Sequence, residues 1–110
     1  MIRVLVVDDH ELVRSGITRM LADNPDLDVI GQASSGEDAI EFVRENRPDI
    51  VLMDIRMPGI GGLEATRRIL RLDDSIRVIV VTACADDPYP SRVMQSGAQA
   101  YITKGADIQE

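Results

Sequence analysis

A chain of 110 residues with 45% hydrophobic content is long enough for one domain with a single core. Its net charge of −7 at pH 7 argues against a segment that wraps nucleic acid or lies on an anionic membrane. The first apolar run breaks at Asp8, too early for a signal peptide or a membrane span, and the single cysteine, Cys84, predicts a protein of the reducing cytoplasm.

The chain begins with a short apolar run and a helical pattern. Val4 to Val7 predicts a buried strand, which ends at the pair Asp8-Asp9. Apolar residues then recur at helical spacing from Leu12 to Leu21, and Asn24-Pro25 stops the predicted helix. The strand therefore delivers two carboxylates immediately before a helix begins.

A second strand and helix follow. Residues 28–33 predict a weaker and more polar strand, as expected at the edge of a sheet. Residues 34–38 form a pattern typical of a capping box, which opens a helix that ends before Pro48.

The middle of the chain carries the stretch around which the site is predicted. Ile50 to Asp54 begins as an unbroken apolar run, which suits a strand buried on both faces, and stops at a carboxylate. Met57-Pro58-Gly59 and Gly61-Gly62 then force a loop. Taken alone, Asp54 would equally fit a turn or a helix cap, but other predicted strands end in reactive groups too.

The alternation continues to the end of the chain. Its predicted elements are a helix over 63–70, a strand over 78–81 ending in Thr82, a helix from about Ser91 to Gly97, a strand over 100–103 delivering Lys104, and the start of a further helix over 106–110. Strands that alternate with helices over short connections predict a parallel, right-handed α/β sheet.

In such a sheet the carboxyl ends of all strands meet at one edge, where ligands bind. The residues at those ends are Asp8, Asp9, Asp54, Thr82 and Lys104, and we expect them to form one site. Three carboxylates repel one another unless a cation joins them, and oxygen ligands suit Mg²⁺. We expect His10 to point into the first helix turn at the surface, so that no histidine or cysteine joins the cluster and zinc is disfavoured.

This set of residues is typical of phosphoryl transfer. Asp54 would be the nucleophile, Mg²⁺ and Lys104 would neutralise charge on the transferring group, and Thr82 would donate a hydrogen bond to it. The chain uses eleven arginines and one lysine, so Lys104 indicates a site that requires a compact ammonium, although chance explains a lone lysine equally well. Without a glycine-rich phosphate loop or a second general base, turnover should be slow, as in a switch.

The chain resembles the receiver domain of bacterial two-component response regulators along its whole length. The resemblance rests on four motifs in the family's order and spacing: VLVVDD over 4–9, LMDIRMPGIGG over 52–62, VVTA over 80–83 and YITK over 101–104. Three further segments resemble the subclass with a LuxR-type helix-turn-helix domain (NarL/FixJ), close to GacA/UvrY-type global regulators. These segments are DDHELVRSGI, GGLEATRRI and TKGA.

The resemblance implies a flavodoxin-like, doubly wound, five-stranded parallel sheet of order 2-1-3-4-5. It also implies that Asp54 accepts a phosphoryl group and that Asp9, Asp54 and the backbone carbonyl of Arg56 bind Mg²⁺, with Asp8 acting mostly through water. Further roles come with it: Lys104 contacts the phosphoryl group, and Thr82 and Tyr101 move together as the switch.

The resemblance further implies partners and domain organisation. Residues 1–110 would be a receiver domain truncated near the start of its fifth helix, with the C-terminal DNA-binding domain of the parent absent. The implied partners are a sensor histidine kinase or its phosphotransfer domain and the parent's own helix-turn-helix domain, with no direct contact of this segment to nucleic acid or membrane. Gly105 follows Lys104 where the family often has proline in a cis peptide, so a cis bond is not assumed here.

The implied strand order also predicts a partly bare face of the sheet. Residues 106–110 supply at most one turn of the fifth helix, so we expect inner-strand side chains from the runs over 4–7, 50–53 and 78–81 to be partly bare. Such a patch should recruit a second copy of the chain.

Two rival functions share parts of this pattern. A haloacid-dehalogenase-type phosphatase also phosphorylates an aspartate beside Mg²⁺, but it needs an acid two positions later, where this chain has Arg56. A flavodoxin-like flavin binder shares the fold, but the three carboxylates would repel the flavin phosphate. Only Phe42, Tyr89 and Tyr101 offer an aromatic ring to a flavin.

Overall fold

The computed structural model of the chain describes residues 1–55, 57–82, 95 and 97–103, and at residues 82 and 101–103 it describes the backbone alone. Its helices and strands are, in chain order, β1 (Ile2–Val7), α1 (Glu11–Ala22), β2 (Leu27–Ala33), α2 (Gly36–Asn46), β3 (Ile50–Asp54), α3 (Gly61–Leu72), β4 (Arg77–Thr82) and β5 (Ala100–Thr103).

The five strands form one parallel sheet in the order β2-β1-β3-β4-β5. The predicted fold class and strand order are therefore confirmed, and the more polar strand β2 lies at an edge. Strand β3 has the predicted bounds, whereas β1 begins at Ile2, two residues before its apolar run. Pairing with β2 starts at Ile2 opposite Leu27, so backbone hydrogen bonding extends past the buried part of the strand.

The second helix begins where its capping pattern predicts. Ser35 precedes the first residue of α2 in extended conformation, and its Oγ accepts a hydrogen bond from the Asp38 N–H at 3.1 Å. This bond satisfies one of the amide groups that have no partner inside the helix. The predicted fourth helix, apart from the helical Gln95, and the predicted start of a fifth helix over 106–110 lie outside the described residues.

The two faces of the sheet are covered unequally. One face packs against α2 and α3 around a cluster that includes Leu5, Val51, Met53 and Val78, each at most 2% exposed. Helix α1 lies on the other face and has no buried residue.

On this second face the burial of the inner-strand side chains differs from strand to strand. We expected inner-strand side chains in β1, β3 and β4 to be partly bare. In β1 this is wrong, since Val4 and Val6 are buried. In β3 and β4, Leu52, Ile79 and Val81 are half-buried. Among the described helices, none is long and apolar enough to cross a membrane.

Candidate functional site

Three carboxylates meet at the carboxyl edge of the sheet. Asp8 and Asp9 directly follow β1, and Asp54 is the last residue of β3. The two strands are hydrogen-bonded neighbours with Val7 opposite Met53, so both strands end at the same level. Ligand atoms of Asp8, Asp9, His10 and Asp54 all lie within 4.8 Å of one another. The structure thus brings together the carboxylates that the strand pattern placed at one edge.

The two carboxylates that lie deepest are almost inaccessible to water. Asp8 is 1% exposed and Asp54 is 6% exposed, so their charges are poorly screened by solvent. The Asp8 side chain is oriented locally, because its Oδ1 accepts a hydrogen bond from the His10 N–H at 2.9 Å. The Asp8 N–H donates to the Ala33 carbonyl oxygen at 3.1 Å, which anchors the acidic pair to β2.

Asp9 carries an oxygen atom that fits a cation. Its Oδ1 is buried and accepts no hydrogen bond from any described residue, although His10 Nδ1 lies 3.0 Å away. A buried carboxylate oxygen without a hydrogen bond is unfavourable. A hard divalent cation beside Asp8, Asp9 and Asp54 would satisfy it, and an all-oxygen set of this kind matches the ligand preference of Mg²⁺.

The position of His10 corrects one sequence-based expectation. Its side chain is 70% exposed, as expected, but Nδ1 faces the acidic pair, 3.4 Å from Asp8 Oδ1 and 3.0 Å from Asp9 Oδ1. His10 precedes α1 in extended conformation and its side chain makes no capping hydrogen bond, so the ring is available to turn back toward the carboxylates. The expectation that no histidine joins the cluster is therefore wrong, and zinc is not disfavoured on that ground.

The start of α3 contains a glycine, Gly62, that packs against the phosphoacceptor candidate. Gly59 and Gly61 have positive φ values of 83° and 77°, which favour glycine, and they turn the chain into α3. A Cβ on Gly62 would overlap the Asp54 carbonyl oxygen and lie 2.8 Å from Ile55 Cα. The Gly62 N–H donates to the Ile55 carbonyl oxygen at 3.0 Å.

The sequence pattern predicts only that these glycines form a loop. The available signal was a pair of adjacent glycines at the start of a helical pattern, where glycine costs about 1 kcal/mol relative to alanine. Within α3, the buried Thr66 donates a hydrogen bond from Oγ1 to the Gly62 carbonyl oxygen at 2.8 Å.

The remaining site candidates are placed only by their strands. Val81 pairs with Asp54, so the backbone of Thr82 lies one residue beyond Asp54 on the neighbouring strand. The backbone of Tyr101 pairs with Val80 in β4. The side chains of Thr82 and Tyr101, and all of Arg56, Lys104 and Gly105, lie outside the described residues.

The family model for the response regulator receiver domain matches residues 4–110. Among curated relatives, the response regulator GacA of Pseudomonas aeruginosa is 63% identical over all 110 residues, which cover 51% of that protein. The chain thus spans about half the length of the curated relatives it matches.

Two solved structures extend the comparison. A LuxR-family two-component response regulator from Aurantimonas sp. SI85-9A1 has a TM-score of 0.94 at 36% identity, covering 100% of this chain and 79% of that one. The CheX-CheY-BeF3-Mg²⁺ complex from Borrelia burgdorferi has a TM-score of 0.87 at 26% identity, covering 98% of this chain and 84% of that one.

Proposed function

Because the chain belongs to the response regulator receiver domain family, we propose that Asp54 accepts a phosphoryl group and that this modification switches the conformation of the domain. One observation carries the proposal. The Asp54 carboxylate, at the end of a buried strand, lies in a group of ligand atoms within 4.8 Å of one another that also includes Asp8 and Asp9. This arrangement supports a nucleophilic role for the Asp54 carboxylate beside a bound cation.

The proposed reaction is an in-line displacement at phosphorus. An oxygen of the Asp54 carboxylate attacks a phosphohistidine of a sensor kinase or of a phosphotransfer domain, forming an O–P bond as the N–P bond breaks. The released imidazole takes up a proton. The backbone contacts of β3 hold the Asp54 strand end in place during the displacement.

The residues that would hold Mg²⁺ are Asp8, Asp9, Asp54 and the backbone carbonyl of Arg56. The buried Asp9 Oδ1 without a hydrogen bond supports this assignment, and the similar structure from Borrelia burgdorferi contains Mg²⁺ by its description. Bound Mg²⁺ supplies neutralisation of the negative charge on the transferring group. Asp8 would contribute mostly through water.

We also propose roles for three residues on the neighbouring strands. Lys104, the residue that follows β5 in the sequence, would contact the phosphoryl group. Thr82, at the end of β4, would donate a hydrogen bond to the same group. Thr82 and Tyr101 would then move together and relay the change to the surface. The support is the family resemblance of VVTA and YITK, together with the backbone positions of Thr82 and Tyr101 in adjacent strands.

The proposed output is regulatory rather than metabolic. We propose that the domain is a phosphorylation-controlled switch and not an enzyme that turns over a substrate. It would assist its own phosphorylation and its own slow dephosphorylation. Residues 1–110 would be the receiver part of a longer parent, whose C-terminal helix-turn-helix domain binds DNA and controls transcription in the cytoplasm. The receiver would pair with a second copy of the chain. The half-length match to GacA supports this organisation.

The phosphoacceptor is tested by intact mass after incubation with acetyl phosphate and Mg²⁺. We expect a gain of one phosphoryl group in the wild type and none in Asp54→Asn. Asp49→Asn is a matched control, because Asp49 immediately precedes the same strand, at the end opposite Asp54, and Asn can still accept the hydrogen bond from the Arg3 N–H. Full labelling of Asp54→Asn, or labelling of the wild type that is unaffected by a chelator, would contradict the proposal.

A further inference from the structure

Arg14 connects the acidic pair to the helix that follows it. Its Nη1 donates a hydrogen bond to the backbone carbonyl oxygen of Asp8 at 2.8 Å, and its Nε donates to Gln32 Oε1 at 3.0 Å. Arg14 lies in the first turn of α1, and side chains of a helix lean toward its N-terminus. The guanidinium therefore reaches back to the end of β1.

The carbonyl group that Arg14 contacts belongs to the peptide between Asp8 and Asp9. A peptide is a rigid plane, so its orientation determines where the side chains on both sides of it project. On the other side of Asp8, the N–H is held by the Ala33 carbonyl oxygen at 3.1 Å. Arg14 supplies the restraint on the carbonyl side. A hydrogen bond from a charged guanidinium is about twice as strong as a neutral one.

Helix α1 is packed less deeply than the other two helices described above. It has no buried residue, whereas α2 and α3 have four each. A hydrogen bond from its first turn therefore adds a restraint that buried side chains of the helix do not supply. The hydrogen bond from Arg14 to Asp8 is partly buried and spans six residues, which ties the start of α1 to the acidic pair. Gln32 is exposed, so its bond to Arg14 is more open to competition by water.

We propose that Arg14 is a positioning residue that holds the peptide between Asp8 and Asp9 in the orientation that binds a divalent cation. The inference rests on the proposed function, because it concerns the same cation site. Gln32, from the edge strand β2, orients the guanidinium through Nε and has the smaller effect of the two.

The test is a calorimetric titration of Mg²⁺ into metal-free protein. Arg14→Met keeps an unbranched stem but removes every donor, and we expect its Kd for Mg²⁺ to rise about 10-fold, the scale on which partners of metal ligands act. Arg14→Lys keeps the charge and one donor direction but loses the planar fork, and we expect a rise of about threefold. Arg19→Met is the matched control, since Arg19 is exposed in the last turn of the same helix, and its Kd should equal that of the wild type.

Amide hydrogen exchange and the melting temperature, both measured without metal, separate a positioning role of Arg14 from general destabilisation. Amide hydrogen exchange at Asp9 and His10 should be faster in Arg14→Met than in the wild type and unchanged in Arg19→Met. An Arg14→Met protein that melts at a lower temperature but binds Mg²⁺ like the wild type would overturn the inference. If Arg14→Met does not fold, a wild-type Kd in Arg14→Lys would overturn it.

Failure of the two proposals can be distinguished. Equal Mg²⁺ affinity in the wild type and in the Arg14 variants overturns the positioning role alone. A wild-type protein that takes up no Mg²⁺ overturns the proposed cation site, and the inference with it.

Discussion

At the residue scale, His10 gives the acidic cluster a ligand that Mg²⁺ does not prefer. Its Nδ1 lies 3.0 Å from Asp9 Oδ1, in a group whose other members are carboxylates. Neutral imidazole suits zinc and other transition metals, whereas Mg²⁺ prefers oxygen. The selectivity of the site between the two metals should therefore depend on this one side chain.

We predict that His10→Ser lowers the affinity for Zn²⁺ by about 10-fold or more and leaves the Mg²⁺ affinity within about twofold. Serine is one of the preferred N-cap residues, so the start of α1 should be preserved in His10→Ser. Competition with a coloured zinc indicator, alongside Mg²⁺ calorimetry, measures both affinities. Equal loss of both metals in His10→Ser would mean that the imidazole does not bind zinc but only supports the carboxylates.

At the scale of one element, the start of α3 packs against the end of the strand that carries Asp54. A Cβ on Gly62 would overlap the carbonyl oxygen of Asp54, and the Gly62 N–H is bonded to Ile55. Helix and strand end can approach this closely only if the helix presents a residue without a side chain. The position of Asp54 and the packing of α3 are thus coupled through a single backbone contact.

We predict that Gly62→Ala destabilises the protein by about 1–3 kcal/mol and slows phosphorylation of Asp54, because the helix or the strand end must shift to relieve the overlap. Gly16→Ala is the matched control in α1. A Cβ there meets nothing within 4 Å, so alanine should stabilise the protein by about 0.5–1 kcal/mol. Urea unfolding and acetyl phosphate labelling rates provide the measurements. Wild-type labelling and stability in Gly62→Ala would rule out the close contact.

At the scale of the whole molecule, the sheet has one well-covered face and one that α1 covers only in part. Leu52, Ile79 and Val81 are half-buried on the second face, whereas Val51, Val78 and Val80 are fully buried on the first. Three half-buried aliphatic residues together forgo about 2–5 kcal/mol of burial free energy. That is a large part of a total stability of about 5–15 kcal/mol.

We predict that the 110-residue chain self-associates weakly through this face, and that a chain extended to the length of its relatives has an unfolding free energy about 2–5 kcal/mol higher. Sedimentation equilibrium tests the association, and urea unfolding of both chains tests the stability. A chain that stays monomeric at high concentration, with the same unfolding free energy after extension, would contradict the prediction.

The sequence by itself determined the fold and the strand that carries Asp54. Apolar runs that end at Asp8-Asp9 and at Asp54 are local patterns, and the alternation of strand and helix allows few topologies. The cap at Ser35 was predictable for the same reason, since it depends on residues close together in the chain.

Only the tertiary structure decided how side chains are oriented around that framework. His10 faces the carboxylates, Gly62 contacts the Asp54 carbonyl, and Arg14 reaches back to Asp8 while contacting Gln32 from another strand. These contacts depend on side-chain rotamers and on small differences in the distances between elements. No periodicity in the sequence determines either. Hydrophobic patterning sets which elements form and which faces they bury, and the packing of those elements sets which polar atoms meet.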